Sequence, residues 1–283
     1  MDPRLTPFNG RVAHNRLRGQ VAAERFSDGA PMRAAVPVAD LCLSSHGPRA
    51  RQLLSGQRFD MLEEVDGQAF GLAARDGHAG WIAASALAPW QAPTHQVAAA
   101  AAHVYPAPQV KAPAGPLLSL GALVTVTGMQ GDWAQLDTGG WIVAGTLRGI
   151  DDPAGDPVAV ALVLLGVPYL WGGDSYAGID CSGLVQAACH ACALPCPPDS
   201  DLQAAGLGRL LPEDTRPRRG DAVFWRGHVG LMAGPGMLIH ANAHTMAVVT
   251  EPLAAVVARI ASAGGGQITG RRRFLPGPAP AGT

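Results

Sequence analysis

One cysteine and two histidines are the residues of this chain best placed, by type and spacing, to carry out covalent catalysis. Cys181 follows Asp180, a favourable helix cap, and the apolar residues after Ser182 continue at helical spacing. Cys181 is therefore predicted in the first turn of a helix, where unpaired N–H groups and the helix dipole lower the pKa of a thiol. A thiolate in that position is the nucleophile that a cysteine hydrolase needs.

The base is predicted to come from a later pair of strands. Residues 220–225 read as a strand, a turn follows, and His228 begins the next strand. A second turn at 234–236 leads into a strand that contains His240. Because neighbouring antiparallel strands place side chains next to each other, His240 could hold the ring of His228 in the correct tautomer. His244 lies close by in the sequence and competes with His240 for this role.

The elements ahead of this region contain an internal repeat. Residues 56–84 and 121–144 each combine a strand that follows glycine, a turn, and a strand ending in Gly-Trp-Ile, with the tryptophans at Trp81 and Trp141. This pattern predicts two small β-barrels, although one larger β domain with two similar hairpins would show it too. Residues 89–93 read as a linker and residues 151–155 as a second junction. Beyond that junction, Asp156 is predicted to cap a helix with Pro157 at its first position.

Composition limits the classes of function. The 283 residues carry a formal net charge of -1, which argues against a broad electrostatic grip on nucleic acid or on an anionic membrane. No apolar run approaches the ~18 residues that a membrane span needs. The first residues lack the apolar stretch of a secretory signal, so a cytoplasmic location is predicted.

The number and spacing of the cysteines indicate the redox compartment and whether a metal is bound. Five cysteines are an odd number, which favours a reduced compartment over a disulfide framework. Cys189, Cys192 and Cys196 have a spacing that can bind metal, but thiols buried on the apolar face of a helix are the favoured reading. No metal or cofactor is predicted.

Several segments in this order resemble the NlpC family of papain-like cysteine peptidases. They are Tyr-Leu-Trp-Gly-Gly at 169–173, Asp-Cys-Ser-Gly-Leu-Val at 180–185, Gly-Asp-Ala-Val-Phe-Trp at 220–225, Gly-His-Val-Gly at 227–230 and Ile-His-Ala at 239–241. The resemblance implies an α+β fold: a papain-like catalytic domain, with the helix of the nucleophile packed on an antiparallel sheet, preceded by two small SH3-like β-barrels. The predicted boundaries are an N-terminal extension at 1–33, SH3-like domains at 34–90 and 94–150, the peptidase domain at 155–276 and a disordered tail at 277–283.

The resemblance also implies a substrate and roles for individual residues. It is to the subgroup that cuts between D-γ-glutamate and the diamino acid of murein peptides with a free N-terminal L-alanine, in cell-wall peptide recycling. Cys181 would be the nucleophile, His228 the base and His240 the orienting residue. The remaining positions would bind substrate: Tyr169 beside the oxyanion together with the Cys181 N–H, Asp180 at the amine, and Trp171, Ser182 and Ser200 along the groove.

The chain departs from that subgroup where the first SH3-like module should close the amine pocket. His78 stands where an aromatic residue is expected, and the acid is left open between Glu63 and Glu64. Two other functions also remain open. A papain-like amidase or acyltransferase would use the same residues, and an inert wall-binding protein would bind peptidoglycan without turnover. A murein peptide is the predicted partner; the sequence predicts no oligomeric state.

Overall fold

The structure is a computed structural model that describes residues 1–274. The predicted tail at 277–283, and the last two residues of the predicted peptidase domain, lie outside the described residues. The chain divides into two compact units. Unit 1 comprises Met1–Pro153 and Trp171–Tyr176, and unit 2 comprises Ala154–Leu170 and the chain from Ala177 onward. The division after Pro153 falls inside the junction predicted at 151–155, whereas the return of residues 171–176 to unit 1 was not predicted.

Unit 1 begins with a short segment that packs on the β structure after it. This segment contains two 3-10 helices, Pro3–Leu5 and Asn15–Leu17, and two parallel strands, β1 (Val12–His14) and β2 (Arg25–Ser27). Val12 is fully buried in a cluster with residues from further along the chain, namely Leu62, Phe70, Leu72 and Trp81. Burial of this apolar side chain ties the N-terminal segment to the next element.

The first β region of unit 1 is a seven-stranded antiparallel sheet in the order β5-β4-β8-β7-β6-β3-β9. Its strands are β3 (Ala30–Ala34), β4 (Val38–Cys42), β5 (Arg49–Leu54), β6 (Arg58–Val65), β7 (Gln68–Ala73), β8 (Ala79–Ala83) and β9 (Leu87–Pro89). Leu41, Phe59 and Ile82 are central to its core. The sheet begins at Ala30 instead of the predicted 34, because β3 pairs with both β6 and β9.

The second β region of unit 1 consists of three small sheets around a core of its own, in the orders β13-β10-β17, β11-β12 and β14-β15-β16. Its strands are β10 (His95–Val97), β11 (Ala101–His103), β12 (Leu117–Ser119), β13 (Leu123–Val124), β14 (Val126–Gln130), β15 (Trp133–Leu136), β16 (Trp141–Val143) and β17 (Leu147–Gly149). The repeat read from the sequence is visible here. In each region the strand with the Gly-Trp-Ile motif is followed by a 3-10 helix and a final strand (Ala84–Ala86 then β9; Ala144–Thr146 then β17).

Residues 171–176, which include β18 (Asp174–Ser175), are held to unit 1 by a buried ion pair. Arg51 Nη2 lies 2.7 Å from Asp174 Oδ1, and the two side chains are only 1% and 4% exposed. Gly172 adopts φ +67, and a Cβ there would lie 2.5 Å from the carbonyl oxygen of Ala50. Only glycine fits this close approach, which accounts for the glycine after Trp171.

Unit 2 combines four helices with a six-stranded antiparallel sheet in the order β20-β25-β21-β22-β23-β24. The helices are α1 (Pro157–Val163), α2 (Cys181–Ala191), α3 (Ser200–Gly206) and α4 (Leu253–Ser262). The strands of the sheet are β20 (Arg209–Leu210), β21 (Ala222–Trp225), β22 (His228–Gly234), β23 (Met237–Asn242), β24 (Ala247–Pro252) and β25 (Gly270–Arg273), and the short strand β19 (Gly178–Ile179) lies outside it. This is the predicted α+β architecture.

Packing in unit 2 follows from the sequence signals at the helix starts and from apolar faces. Asp156 caps α1 by accepting a hydrogen bond from the N–H of Val158, as predicted, with Pro157 in the first position. Helices α1 and α2 both pack against β22 and β23. Helix α4 adds Val256, fully buried, to a cluster with Trp225 and Leu238 of the sheet. Within residues 1–274, every helix is too short or too polar to traverse a lipid bilayer.

Candidate active site

The predicted nucleophile is the first residue of helix α2. Asp180 Oδ1 accepts hydrogen bonds from the N–H of Gly183 (2.7 Å) and from the hydroxyl of Ser182 (2.8 Å), which confirms the predicted helix cap. The cap fixes where the helix starts, and so it places the Cys181 thiol, 7% exposed, in the first turn. Four fully buried side chains on one face then hold the helix against the sheet: Leu184, Val185, Ala188 and Cys189.

The two predicted histidines meet on adjacent strands. His228 begins β22 and His240 lies in β23, and the Nε2 atom of His228 is 2.8 Å from the Nδ1 atom of His240. His240 is only 1% exposed, whereas His228 is partly exposed. His244, the competing candidate, is exposed in the turn after β23, where its backbone N–H donates to Asn242 Oδ1. His240 is therefore the histidine in contact with His228.

The surroundings of this histidine pair favour neutral rings. Burial, with contributions from His240 and Arg259, lowers the pKa of His228 to about 3. Burial also lowers the pKa of His240, and this outweighs the opposing effect of the Glu251 carboxylate. At neutral pH the His228 ring is uncharged and carries a lone pair, which is the protonation state of a general base.

Sequence reasoning missed the two residues that continue this chain of contacts. Glu251 Oε2 lies 2.8 Å from His240 Nε2, and Arg259 donates to both carboxylate oxygens of Glu251, at 2.7 and 2.6 Å. Glu251 and Pro252 are the last residues of strand β24, and helix α4 begins at the next residue, Leu253. Val249, not Glu251, pairs with His240 in the register, so Glu251 is a diagonal neighbour on the same face.

Tyr169 connects the start of α2 with the turn between β23 and β24. Its backbone N–H donates to the carbonyl of Met246, and it forms a parallel bridge with Ile179, two residues before Cys181. Burial, with smaller effects of Cys181 and Asp180, raises the pKa of the Tyr169 phenol to about 12. The hydroxyl therefore keeps its proton at neutral pH and remains a hydrogen-bond donor, as an oxyanion ligand must.

The other predicted substrate residues differ in their setting. Ser182 is 4% exposed, and its hydroxyl donates a hydrogen bond to Asp180, the cap of α2. Ser200 is the first residue of α3 and is partly buried. Trp171 is 71% exposed and belongs to the segment that groups with unit 1. Gln203, which sequence reasoning did not single out, is fully buried and donates to the carbonyl oxygens of Ser182 and Pro197, and so ties α3 to the first turn of α2.

The residues of the first β region that were candidates to close the amine pocket are Glu63, Glu64 and His78. Glu63 accepts hydrogen bonds from Asn9 and Arg11 of the N-terminal segment, and the hydrogen bond from Arg11 lowers the pKa of its carboxyl group. Glu64 is exposed, and His78 is 1% exposed. Arg11 already balances the charge of Glu63, so unit 1 by itself does not mark this carboxylate as an amine ligand.

Two further groups of side chains in unit 2 are the cysteines near the end of α2 and the arginines of β25. Cys189 and Cys196 are buried, their thiols are within hydrogen-bonding reach, and no group of three or more metal-binding side chains occurs within residues 1–274. Residues 271–273 belong to β25, which pairs on both sides within the sheet. Arg273 makes a bidentate contact with the buried Asp221 at 2.7 and 2.6 Å.

Comparisons with known proteins agree with this geometry. Residues 166–259 match the model of the NlpC/P60 family, and residues 43–87 match that of the bacterial dipeptidyl-peptidase Sh3 domain. A solved structure of an NlpC/P60 family protein from Bacillus cereus superposes with a TM-score of 0.72 at 19% identity, covering 87% of this chain and all of that one. At this identity the likeness establishes the fold alone.

Curated relatives match a shorter stretch. A protein named "Probable endopeptidase" from Mycobacterium tuberculosis is 33% identical over 109 residues, which are 36% of this chain and 28% of that protein. The gamma-D-glutamyl-L-lysine dipeptidyl-peptidase of Bacillus subtilis is 37% identical over 95 residues, 31% of each chain. The matched stretch therefore spans less than a third of either relative. With the cysteine at the head of a capped helix and the histidine pair on the sheet, these findings identify residues 166–259 as an NlpC/P60 peptidase-family domain, which follows a bacterial SH3 domain in the same chain.

Proposed function

We propose that this chain is a cysteine peptidase that hydrolyses the γ-D-glutamyl–diamino acid bond of murein peptides with a free N-terminal L-alanine. The observation that carries the proposal is the 2.8 Å contact between His228 Nε2 and His240 Nδ1 on strands that pack against the helix headed by Cys181. The relative named as a gamma-D-glutamyl-L-lysine dipeptidyl-peptidase supports the choice of bond. The predicted cytoplasmic location and role in cell-wall recycling stay predictions.

The mechanism begins with the thiol. His228 removes the proton of the Cys181 thiol, and the sulfur attacks the γ-carbonyl carbon of the glutamyl residue. The oxygen of the tetrahedral intermediate accepts hydrogen bonds from the backbone N–H of Cys181 and from the Tyr169 hydroxyl. His228 returns the proton to the leaving nitrogen, the C–N bond breaks, and a thioester remains on Cys181. Water activated by His228 then hydrolyses the thioester and releases the free γ-carboxylate.

The neutral state of the histidines fits this sequence of proton transfers. Because burial lowers the pKa of His228, its ring is neutral before the reaction, and one ring nitrogen has a lone pair that can accept the thiol proton. His240 orients that ring through its Nδ1 atom, in the role that the third member of a catalytic triad has. In this proposal, Asp180 binds the substrate's amine in addition to capping α2, and Trp171, Ser182 and Ser200 line the groove.

The test is incubation of the full chain, under reducing conditions, with L-Ala-γ-D-Glu-diaminopimelate and with its N-acetylated form. Mass spectrometry should detect L-Ala-D-Glu and diaminopimelate from the free peptide, and much less product from the acetylated one. Cys181→Ala should abolish turnover, whereas Cys192→Ala, a thiol removed from the end of the same helix, should leave it intact.

Each alternative gives a different result in this assay. Equal cleavage of both peptides would refute the role of the free amine. Product that appears only when an amine acceptor is added would indicate an acyltransferase. Peptidoglycan binding that survives Cys181→Ala, with no turnover of either peptide by the parent protein, would indicate an inert binding protein.

A further inference from the structure

The His240 ring is contacted at both nitrogens, so its tautomer decides that of its neighbour. Nδ1 lies 2.8 Å from His228 Nε2, and Nε2 lies 2.8 Å from Glu251 Oε2. A neutral imidazole has one N–H donor and one acceptor nitrogen. If the His240 proton is on Nε2, then Nδ1 accepts and His228 must donate from its own Nε2. The lone pair of His228 is then on Nδ1.

The Glu251 carboxylate is ionised at neutral pH, so it can only accept hydrogen bonds. Arg259 donates to both of its carboxylate oxygens, and this pairing lowers the pKa of Glu251 to about 2. An ionised carboxylate has no proton to give, so the proton in the 2.8 Å contact belongs to His240 Nε2. The opposite tautomer would place a nitrogen lone pair against a negatively charged oxygen.

A second neighbour favours that opposite tautomer. Asn242 Nδ2 lies 3.1 Å from His240 Nε2. The Asn242 amide is oriented by its oxygen, which accepts from the backbone N–H groups of His244 and Thr245 and from the Thr245 hydroxyl. Its NH2 group is thus directed at His240 and could donate only to an unprotonated Nε2. Glu251 and Asn242 therefore favour opposite proton positions on one nitrogen.

We propose that Glu251, held by Arg259, is a positioning residue that selects the His240 tautomer in which His228 keeps its lone pair on Nδ1, the nitrogen not engaged by His240. Without this carboxylate, Asn242 donates to Nε2 of His240. Nδ1 of His240 then carries the proton and donates to Nε2 of His228, so the remaining proton of His228 lies on Nδ1. His228 is then blocked as a base toward a thiol, so the catalytic consequence, though not the tautomer itself, rests on the proposed function.

The tautomers can be measured without a substrate. In the full chain labelled with 15N-histidine, long-range 1H–15N correlation spectra distinguish a protonated ring nitrogen from one with a lone pair. His228→Gln and His240→Gln assign the two signals. The wild type should show the Nε2–H tautomer for both rings, and Glu251→Met should move both protons to Nδ1. Glu213→Met, which replaces an exposed glutamate of the same unit, should leave both signals unchanged.

Activity on the murein peptide gives the second readout. Glu251→Met should lower kcat by about 100-fold or more with little change in KM, since the base is lost and substrate contacts are not. A wild-type spectrum with His240 protonated on Nδ1 overturns the proposal, even if the variant fails to fold. A Glu251→Met spectrum with both tautomers retained overturns it as well. If the wild type shows the expected tautomers but cleaves no peptide, the proposed function fails and the selection of the tautomer stands.

Discussion

The buried ion pair of unit 1 leads to a prediction about stability. Asp174 accepts from three donors, namely Arg51 Nη2 at 2.7 Å, the backbone N–H of Gln52 at 3.1 Å and Arg75 Nη2 at 3.2 Å. The Arg51 side chain is 1% exposed, so its charge meets this carboxylate away from water. Asp174→Asn keeps the shape of the side chain, removes its negative charge and replaces one acceptor oxygen with an NH2 group.

The expected loss of unfolding free energy is large because only one partner of a buried ion pair is removed. Removing one partner leaves a desolvated charge behind and costs about 3–5 kcal/mol of unfolding free energy. The lower end, about 3 kcal/mol, is expected here because the asparagine oxygen can still accept one hydrogen bond. Asp152→Asn is the matched control. Asp152, also in unit 1, is 80% exposed and 3.4 Å from Arg148, so the loss of its charge should cost less than about 1 kcal/mol.

Urea unfolding followed by tryptophan fluorescence suits this measurement. Of the six tryptophans, all but Trp225 belong to unit 1, so the signal reports mainly on that unit. Midpoints and slopes give the unfolding free energy of the wild type and of both variants. If Asp174→Asn and Asp152→Asn cost the same small amount, the pair is not desolvated in the way described, and the reasoning is refuted.

Two more predictions concern unit 2. Because the pKa of His228 is lowered to about 3, the unfolded chain takes up a proton below pH 6.5 that the folded chain does not, so acidification favours unfolding through that window. Between pH 7 and pH 5 the wild type should lose up to about 2 kcal/mol more unfolding free energy than His228→Gln in urea titrations, an upper bound since the ring is partly exposed. Equal losses would contradict this. Asp180→Ala removes the acceptor for Gly183 N–H and Ser182 Oγ and should cost about 1–2 kcal/mol. Amide exchange over 181–191 should become faster in this variant and stay unchanged in the control Asp152→Asn. Unchanged protection in Asp180→Ala would contradict the role of the cap.

The residues of the candidate site were largely predictable because their signals are local. Asp180 and the apolar spacing after Ser182 define a helix start wherever they occur, and the structure has that cap with Cys181 as the first helical residue. Turn residues around 226–227 and 234–236 likewise predicted the strands of His228 and His240. With two short turns, adjacent antiparallel strands follow almost by necessity, and the two rings then come within reach of each other.

The contacts of Glu251 and Arg259 beside His240 could not be predicted from local sequence signals. Glu251 contacts His240 only because β24 pairs with β23 in one register, and Arg259 reaches Glu251 only because α4 follows β24 at once. A register shifted by one residue would turn Glu251 to the other face. The return of residues 171–176 to unit 1 likewise depends on Asp174 meeting Arg51, a contact between residues far apart in the chain.

The sequence alone determined which residues are candidates for the chemistry and which elements hold them, because caps, turns and apolar periods act over a few neighbouring residues. The tertiary structure alone decided which atoms each histidine ring contacts, which carboxylate lies beside His240, and which segment joins which unit. Those properties depend on distances of about 3 Å between side chains from different strands and helices. Such distances exist only once the packing and the strand register are fixed.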